Sequence, residues 1–363
     1  MTLNTLRPTS AAEIQEIVRQ HPHLHVRGGG SKPALSTPPA DALLLDLSGL
    51  NGLVEYEPAE YTFTAQAGTP VADIQSALAA QGQYMPFDPP LAQAGATLGG
   101  IVAAGTSGPG RVRYGGVRDF LIGTRFVDGR GELLRGGGKV VKNAAGFDYP
   151  KLFVGSLGRL GILTEVTFKV FPEPPAYATL AIDCADLPTA LVQVRSMSRS
   201  KFDINGLDFA PSAAGWHVWV RLGGLAATLD ERMASLSQQV GHGEILTGEA
   251  DAAQWRQANA FDWLPPGAAL VKVPVTPGRV IRLEDSLAGV DESRRRYSVG
   301  GNLLWLGWQK SMTALDNLLT SNGLSGLLLR GPADQPWFGQ KPSGHFLARI
   351  KSALDPEGKF GPI

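Results

Sequence analysis

Apolar and polar positions near the start of the chain switch between a helical and a strand period. Ser10 and Glu13 form a capping box ahead of Ile14, Ile17 and Val18, so residues 10–20 are predicted as an amphipathic helix. A short strand over residues 23–26 follows and runs directly into Gly28-Gly29-Gly30, and a second apolar run covers residues 42–47. The result is a strand, glycine loop, strand arrangement. Residues 53–57 and 61–66 read as a hairpin, after which Thr69 and Pro70 open a helix that Gly82 closes. From Pro86 to Gly116 small residues and prolines dominate, too poor in large apolar groups for an ordinary core segment, so another reason for order is needed. Strands are predicted again over 121–127 and 161–170, separated by the turn Asp128-Gly129-Arg130-Gly131.

The cluster Pro172-Glu173-Pro174-Pro175 marks the main boundary. Beyond it, strands are predicted at 178–183, 216–222, 268–275, 294–299 and 303–308, and helices at 187–198, 226–240, 277–288 and 311–322. Alternation such as His217-Val218-Trp219-Val220-Arg221 predicts an antiparallel sheet with helices on one face. A final helix over 346–354, stopped by Asp355-Pro356-Glu357-Gly358, is expected to return to the first domain. The expected organisation is therefore α+β: a first domain over 1–175, a cap domain over 176–335, and a returning segment over 336–363.

With 363 residues the chain has room for two domains without disulfides or a structural metal. Charged residues are 18% of the chain and the formal net charge is zero, so no bulk attraction to nucleic acid or to an anionic surface is implied. Cys184 is the only cysteine, which excludes an intramolecular disulfide and a thiolate set for an iron-sulfur cluster or zinc, and fits a reducing cytoplasm. No secretory pattern opens the chain and no apolar run approaches the length of a membrane span, so neither export by that route nor a transmembrane segment is expected. Glycine stands out, with 45 residues, many of them between positions 28 and 161. Backbone rather than side chain is the expected ligand surface there.

Three glycine-rich elements carry the chemistry. Gly28, Gly29 and Gly30 allow positive φ and close approach of backbone N–H groups to an anion, beside Arg27, Ser31 and Lys32. Taken alone, the triplet reads as a flexible turn as well as a ligand loop. It is not a Walker A loop, and it departs from the Rossmann fingerprint because Pro33 stands where the third glycine belongs. The second element is Gly95-Ala96-Thr97-Leu98-Gly99-Gly100, followed by Ala103-Ala104-Gly105-Thr106-Ser107-Gly108, whose small residues suit packing against a flat cofactor. The third runs from Gly155-Ser156-Leu157-Gly158 through Gly161-Ile162-Leu163-Thr164-Glu165. Their spacing, rather than any one of them, argues for a cofactor.

In this order the motifs resemble the FAD-binding domain of the vanillyl-alcohol-oxidase, or PCMH-type, superfamily, which has two subdomains. The resemblance implies a pyrophosphate contact for Arg27, Gly28, Gly29, Gly30, Ser31 and Lys32. It implies a run along the pyrophosphate and flavin for Thr97, Leu98, Gly99 and Gly100, with Ala104, Ser107 and Gly108, and adenine and ribose contacts for Gly158, Gly161 and Ile162. The stretches Gly105-Thr106-Ser107-Gly108-Pro109, Val117-Arg118-Asp119-Phe120 and Val140-Val141-Lys142-Asn143-Ala144-Ala145-Gly146-Phe147-Asp148 are similar to those of the FAD-binding E subunits of bacterial glycolate oxidases. That resemblance implies oxidation of a small 2-hydroxy acid, glycolate to glyoxylate, within a complex holding a larger homologous FAD subunit and an iron-sulfur subunit. Such a complex implies a cytoplasmic location, peripheral on the inner membrane through its partners.

The departures matter equally. Covalently flavinylated relatives place a histidine in or just after the first glycine loop, where this chain has Gly30-Ser31-Lys32, so non-covalent FAD is expected. Self-sufficient 2-hydroxy-acid dehydrogenases of the superfamily carry a His-x-His pair, whereas after residue 175 this chain has only His217, His242 and His345, none paired. Autonomous activity on another 2-hydroxy acid or sugar, and a flavin-free structural subunit, stand as the two alternatives. His21, His23 and His25 alternate, but Pro22 interrupts them, and an exposed strand edge is the simpler reading than a metal site. No metal is expected. Arg118, Lys142, Asn143 and His345 are the candidates for catalytic or polar contacts, each with a structural alternative. Arg294-Arg295-Arg296 reads as a solvated patch from which alternation turns one residue inward, and Trp305 and Trp308 read as core.

Overall fold

The computed structural model describes residues 5–36, 41–138, 148–290, 293–332, 335–341 and 344–362. The candidates Lys142 and Asn143, and the side chain of His345, lie outside the described residues. The chain divides into two compact units. The first comprises Met1–Ser107, Gly115–Glu173 and Ser343–Ile363, the second Gly108–Tyr114 and Pro174–Pro342. The boundaries expected from the proline cluster and near 335 thus stand against 173/174 and 342/343, and residues 108–114 group with the second unit.

The first unit holds two main sheets. In the smaller, the strand Leu43–Asp46 lies between Thr5–Leu6 and Leu24–Arg27, parallel to both. The helix Ala11–Gln20 covers it. Ser10 caps this helix by accepting from Glu13 N at 3.2 Å, while the Glu13 carboxylate reaches back one residue further than a capping box requires, to Thr9 N at 3.0 Å. Ile14 and Val18 are fully buried and join Leu24, Leu43, Leu45, Val127, Ile162 and Phe360 in one core cluster. Parallel strands demand burial, and the Leu-rich run 43–45 supplies it.

The larger sheet is antiparallel, in the order Leu53–Glu57, Thr62–Gln66, Ile162–Lys169, Leu121–Val127, Leu133–Gly137. The turn at 128–131 closes a hairpin between 121–127 and 133–137, a strand the apolar pattern missed because it ends in Arg135-Gly136-Gly137 at a sheet edge. The small-residue stretch 86–116 owes its order to a few large groups. Phe87 is fully buried between Phe120 and Phe168, with ring centroids 5.6 and 5.7 Å away. Leu98, Ile101 and Val102 anchor the helix Leu98–Ala104.

The second unit is built on nine antiparallel strands. Their order is Glu244–Thr247, Ala176–Cys184, Gly215–Gly224, Ile204–Ser212, Arg294–Ser298, Leu303–Trp308, Ala269–Pro274, Ser325–Arg330, Trp337–Gly339. The expectation of helices on one face is corrected. Glu284, on the helix Val280–Leu287, binds Arg295 and Tyr297, whereas Trp255, on the helix Gly248–Ala260, lies 5.5 Å from Arg296 and against Gly206. Neighbouring residues of one strand face opposite sides, so helices cover both. The strand 204–212 escaped the pattern because its inward positions include Asn205, Gly206 and Asp208, polar or small residues that only their partners make acceptable in an interior. The arginine run likewise departs from a solvated patch: Arg295 is bidentate on Glu284 and Arg296 donates to Asp208 Oδ2 at 2.7 Å, leaving Arg294 exposed. Trp305 and Trp308 are core.

A glycine-lined cofactor cleft

Within the first unit the three glycine-rich elements converge on one cleft, which holds about 720 Å³ of space free of atoms, its open mouth included. The strand Leu24–Arg27 delivers the loop Gly28–Lys32 onto the start of the helix Leu98–Ala104. A Cβ on Gly28 would lie 2.3 Å from Thr97 Oγ1, and one on Gly29 would lie 1.8 Å from Gly95 O. The first two elements are therefore in contact, and glycine is required by that approach rather than by turn flexibility alone. Thr97 caps the helix, its Oγ1 accepting from Gly100 N at 3.3 Å. Gly99, Gly100, Ala103 and Ala104 present a wall of small residues. The third element hangs from the same helix: Gly155 N donates to Val102 O at 3.0 Å and Leu157 N to Ala103 O at 2.9 Å.

Of the residues expected at the site, Gly28, Gly29, Gly30, Ser31, Lys32, Thr97, Gly99, Gly100, Ala104, Gly158 and Gly161 line the cleft. The other five do not. Arg27 turns back to Asp46, 2.7 Å away, and steadies the loop. Burial pushes the Asp46 carboxyl up, but hydrogen bonds from Arg27 and Ser48 outweigh it and hold the group below its ordinary range. Leu98 is wholly in the core. Ser107 is buried and accepts from Val117 N at 2.9 Å, which ties the helix Val117–Phe120 down. Gly108 belongs to the second unit. Ile162 falls between the lining residues Gly161 and Leu163 on a strand, so its side chain enters the opposite core. Arg118 is exposed and off the cleft.

Several lining residues carried no sequence signal: Leu35, Ser36, Leu47 and Ala67. Ala103, Ser156 and Leu157 sit inside the glycine-rich elements, but nothing in their residue types sets them apart from their neighbours.

The electrostatics of the cleft suit an anion. Lys32 is 5% exposed, and among the described residues no carboxylate lies within 4.0 Å of its ammonium, which donates only to Ser31 Oγ at 3.4 Å. Burial pushes its pKa down to about 8. Nearby, His25 Nε2 donates to Leu35 O, 3.2 Å away; burial and the charges of Arg159 and Arg27 hold it below its ordinary range against that bond. Burial lowers Arg159 as well. Ser156 Oγ is buried without a hydrogen-bond partner among the described residues. A cradle closed to Cβ atoms, a buried ammonium lacking a counter-charge and an unused hydroxyl fit a dinucleotide such as FAD. No group of three or more metal-ligating side chains occurs among the described residues.

The fold and cleft define the class. The sequence profile of the FAD binding domain family matches residues 3–137. A solved structure of alkyldihydroxyacetonephosphate synthase superposes with a TM-score of 0.71 at 17% identity, covering 99% of this chain and 76% of that one, which establishes the shared PCMH-type fold. The protein is an FAD-binding oxidoreductase of that type. Glycolate oxidase subunit GlcE of Escherichia coli (strain K12) is 33% identical over 354 residues, 96% of this chain and 94% of its own length. The chain belongs to the family of that subunit. Glycolate oxidase subunit GlcD of Bacillus subtilis (strain 168) is 33% identical over 50% of this chain and 39% of its own. D-2-hydroxyglutarate dehydrogenase of Xanthomonas citri pv. viticola is 32% identical over 58% of this chain and 45% of its own.

Proposed function

We propose that this chain is the E-type subunit of a glycolate oxidase complex, holding FAD without a covalent link and serving the oxidation of glycolate to glyoxylate. The observation that carries the reading is the end-to-end match to the GlcE subunit, at 96% of this chain. When bound, FAD supplies the acceptor for the two electrons leaving a CH–OH group. The chain's own residues bind and orient it. Gly28 to Lys32 would receive the pyrophosphate, with the Lys32 ammonium as counter-charge. Gly99, Gly100, Ala103 and Ala104 would lie against the flat parts of the cofactor, and Ser156 Oγ would offer it a hydrogen bond. The loop Gly30-Ser31-Lys32 carries no histidine for a covalent attachment, which supports a dissociable cofactor.

The partners in this reading are a larger homologous FAD subunit, of the GlcD kind, and an iron-sulfur subunit that passes electrons on. Among the described residues no helix is long and apolar enough to cross a membrane, so attachment to the inner membrane, on its cytoplasmic side, would come through those partners. A second reading, a self-sufficient dehydrogenase of another 2-hydroxy acid, draws on the match to D-2-hydroxyglutarate dehydrogenase. The deciding experiment is co-purification with candidate partners, with flavin content and glycolate-dependent dye reduction measured on chain and complex. We expect a yellow chain that releases FAD on denaturation and reduces dye with glycolate only when assembled. Full glycolate-dependent activity of the isolated chain would overturn the complex reading, and flavin reduction of the isolated chain by another 2-hydroxy acid would favour the second.

A further inference from the structure

The loop that supplies Ser156, Leu157 and Gly158 to the cleft is closed by two local turn bonds, Ser156 N to Phe153 O at 3.2 Å and Arg159 N to Ser156 O at 3.0 Å, and is held further from distant parts of the chain. Leu157 has φ +53° and Gly158 φ +74°, two successive left-handed residues, the first of them carrying a side chain that disfavours this conformation. The helix Leu98–Ala104 secures one side through Gly155 N and Leu157 N. The other side is secured from a stretch some 190 positions away in sequence.

Lys351, on the helix His345–Leu354, donates its ammonium to Arg159 O at 2.6 Å, and Arg159 Nη1 donates in return to Pro362 O. Lys351 is itself fixed. It pairs with Asp355 and sits 5.6 Å from the centroid of the Phe360 ring. Asp355 is 2% exposed and accepts from Lys359 N and Phe360 N, each at 2.9 Å, which folds the segment into a tight turn. That turn is anchored elsewhere in the first unit: Phe360 is part of the core cluster, Leu24 N donates to Lys359 O at 2.8 Å, and Lys359 Nζ donates to Val18 O at 2.8 Å. Through Lys351 the rigidity of this segment reaches the backbone of the cofactor loop.

We propose that Lys351 is a positioning residue of the cofactor cleft, and that through it the C-terminal segment sets how tightly the Gly158 turn, and so the chain, holds FAD. This rests on the FAD reading above. A charge-assisted bond to the carbonyl next to a left-handed pair restrains the turn in the free protein, so the ordering cost is met before the ligand arrives.

The test compares Lys351→Met with Lys351→Arg and Lys359→Met in the full chain. Methionine keeps the apolar stem against Phe360 but cannot donate; arginine keeps a charged donor. Lys359→Met removes an ammonium from the same segment that does not touch the loop. FAD affinity is read by flavin fluorescence titration, amide hydrogen exchange over residues 155–161 by mass spectrometry without cofactor, and folding by the melting midpoint. Lys351→Met is expected to weaken FAD binding by about tenfold or more and to speed exchange over 155–161. Lys351→Arg and Lys359→Met are expected to stay within about threefold of the wild type. Unchanged affinity and exchange in Lys351→Met overturns the proposal, as does equal weakening by Lys359→Met, which would reduce the effect to general loss of stability. If Lys351→Met does not fold, Lys351→Gln, neutral and shorter, takes its place: weaker FAD binding with faster exchange at 155–161 supports the proposal, and wild-type behaviour in both overturns it. A wild-type chain that binds no FAD fails the cofactor reading and the affinity effect with it, while the exchange comparison alone still decides whether Lys351 holds the turn.

Discussion

Lys32 illustrates how one residue can work against the fold and for the ligand. Its folded pKa of about 8 lies below the unfolded value near 10.5. A lysine depressed in this way destabilises the free protein; the penalty is complete below about pH 8 and is relieved as the pH rises toward the unfolded value. The cost is on the order of 3 kcal/mol for a buried group with such a shift. Removing the charge with Lys32→Met should therefore stabilise the cofactor-free chain near pH 7, by on the order of 1 to 3 kcal/mol in denaturant titrations. The same variant should bind FAD more weakly. In the wild type a bound phosphate stabilises the protonated amine, so affinity should be flat below about pH 8 and fall above it, by at most tenfold per pH unit. A flat affinity profile from pH 7 to 9.5, or a cofactor-free Lys32→Met chain less stable than the wild type, would contradict this account.

The glycine at position 29 shows what a sequence makes visible at this scale. A triplet of glycines was legible; the reason for it was not, because Gly95 O, the atom that excludes a Cβ, sits 66 positions further along the chain.

At the scale of elements, the nine-stranded sheet is organised by buried charge as much as by apolar alternation. Asp208 is 1% exposed and accepts from Arg296 Nε at 2.7 Å and from Ser298 Oγ at 2.6 Å. On the same face Asp251 pairs with Arg221 at 2.7 Å and accepts from Thr179 Oγ1 at 2.6 Å. These pairs hold neighbouring strands and the helix Gly248–Ala260 in one register. Asp208→Ala should cost roughly 3 to 5 kcal/mol, because it strands a buried guanidinium rather than merely deleting a hydrogen bond. All seven tryptophans of the chain, from Trp216 to Trp337, lie in the second unit, so their fluorescence reports its unfolding directly. A shift of less than about 1 kcal/mol by that signal would mean the pair is solvated and of little weight. The strand that carries Asp208 was the least legible in the sequence for the same reason. Its Asn-Gly-Leu-Asp run reads as a turn until Arg296, some 90 positions away, is placed opposite.

At the scale of the whole molecule, cofactor binding and stability are linked by mass action. FAD at a hundred times its Kd should add about 3 kcal/mol to the unit that holds it. The measurable form is a rise in the temperature at which bound-flavin fluorescence changes, growing with the logarithm of FAD concentration. A midpoint indifferent to added FAD would argue that the cleft does not hold it. The zero formal net charge fits an encounter with FAD that depends on a local cation, Lys32, rather than on a global field.

The sequence by itself determined much of this protein. Most helices and the longer strands follow from period and caps, and the order and spacing of the three glycine-rich elements mark a flavin site on their own. Both signals are local, carried by neighbouring residues or by glycines whose purpose is backbone approach. Only the tertiary structure decided which motif residues line the cleft. Arg27, Leu98, Ser107, Gly108 and Ile162 belong to the motifs and turn elsewhere, while Leu47, Ala67 and Ser156 line the cleft. Facing is a property of strand alternation and of loops converging from distant positions, which no single window of sequence contains. The same holds for Lys351: a lysine near the C-terminus, with no motif around it, gains its place at the cofactor loop solely because the last helix folds back onto the first unit.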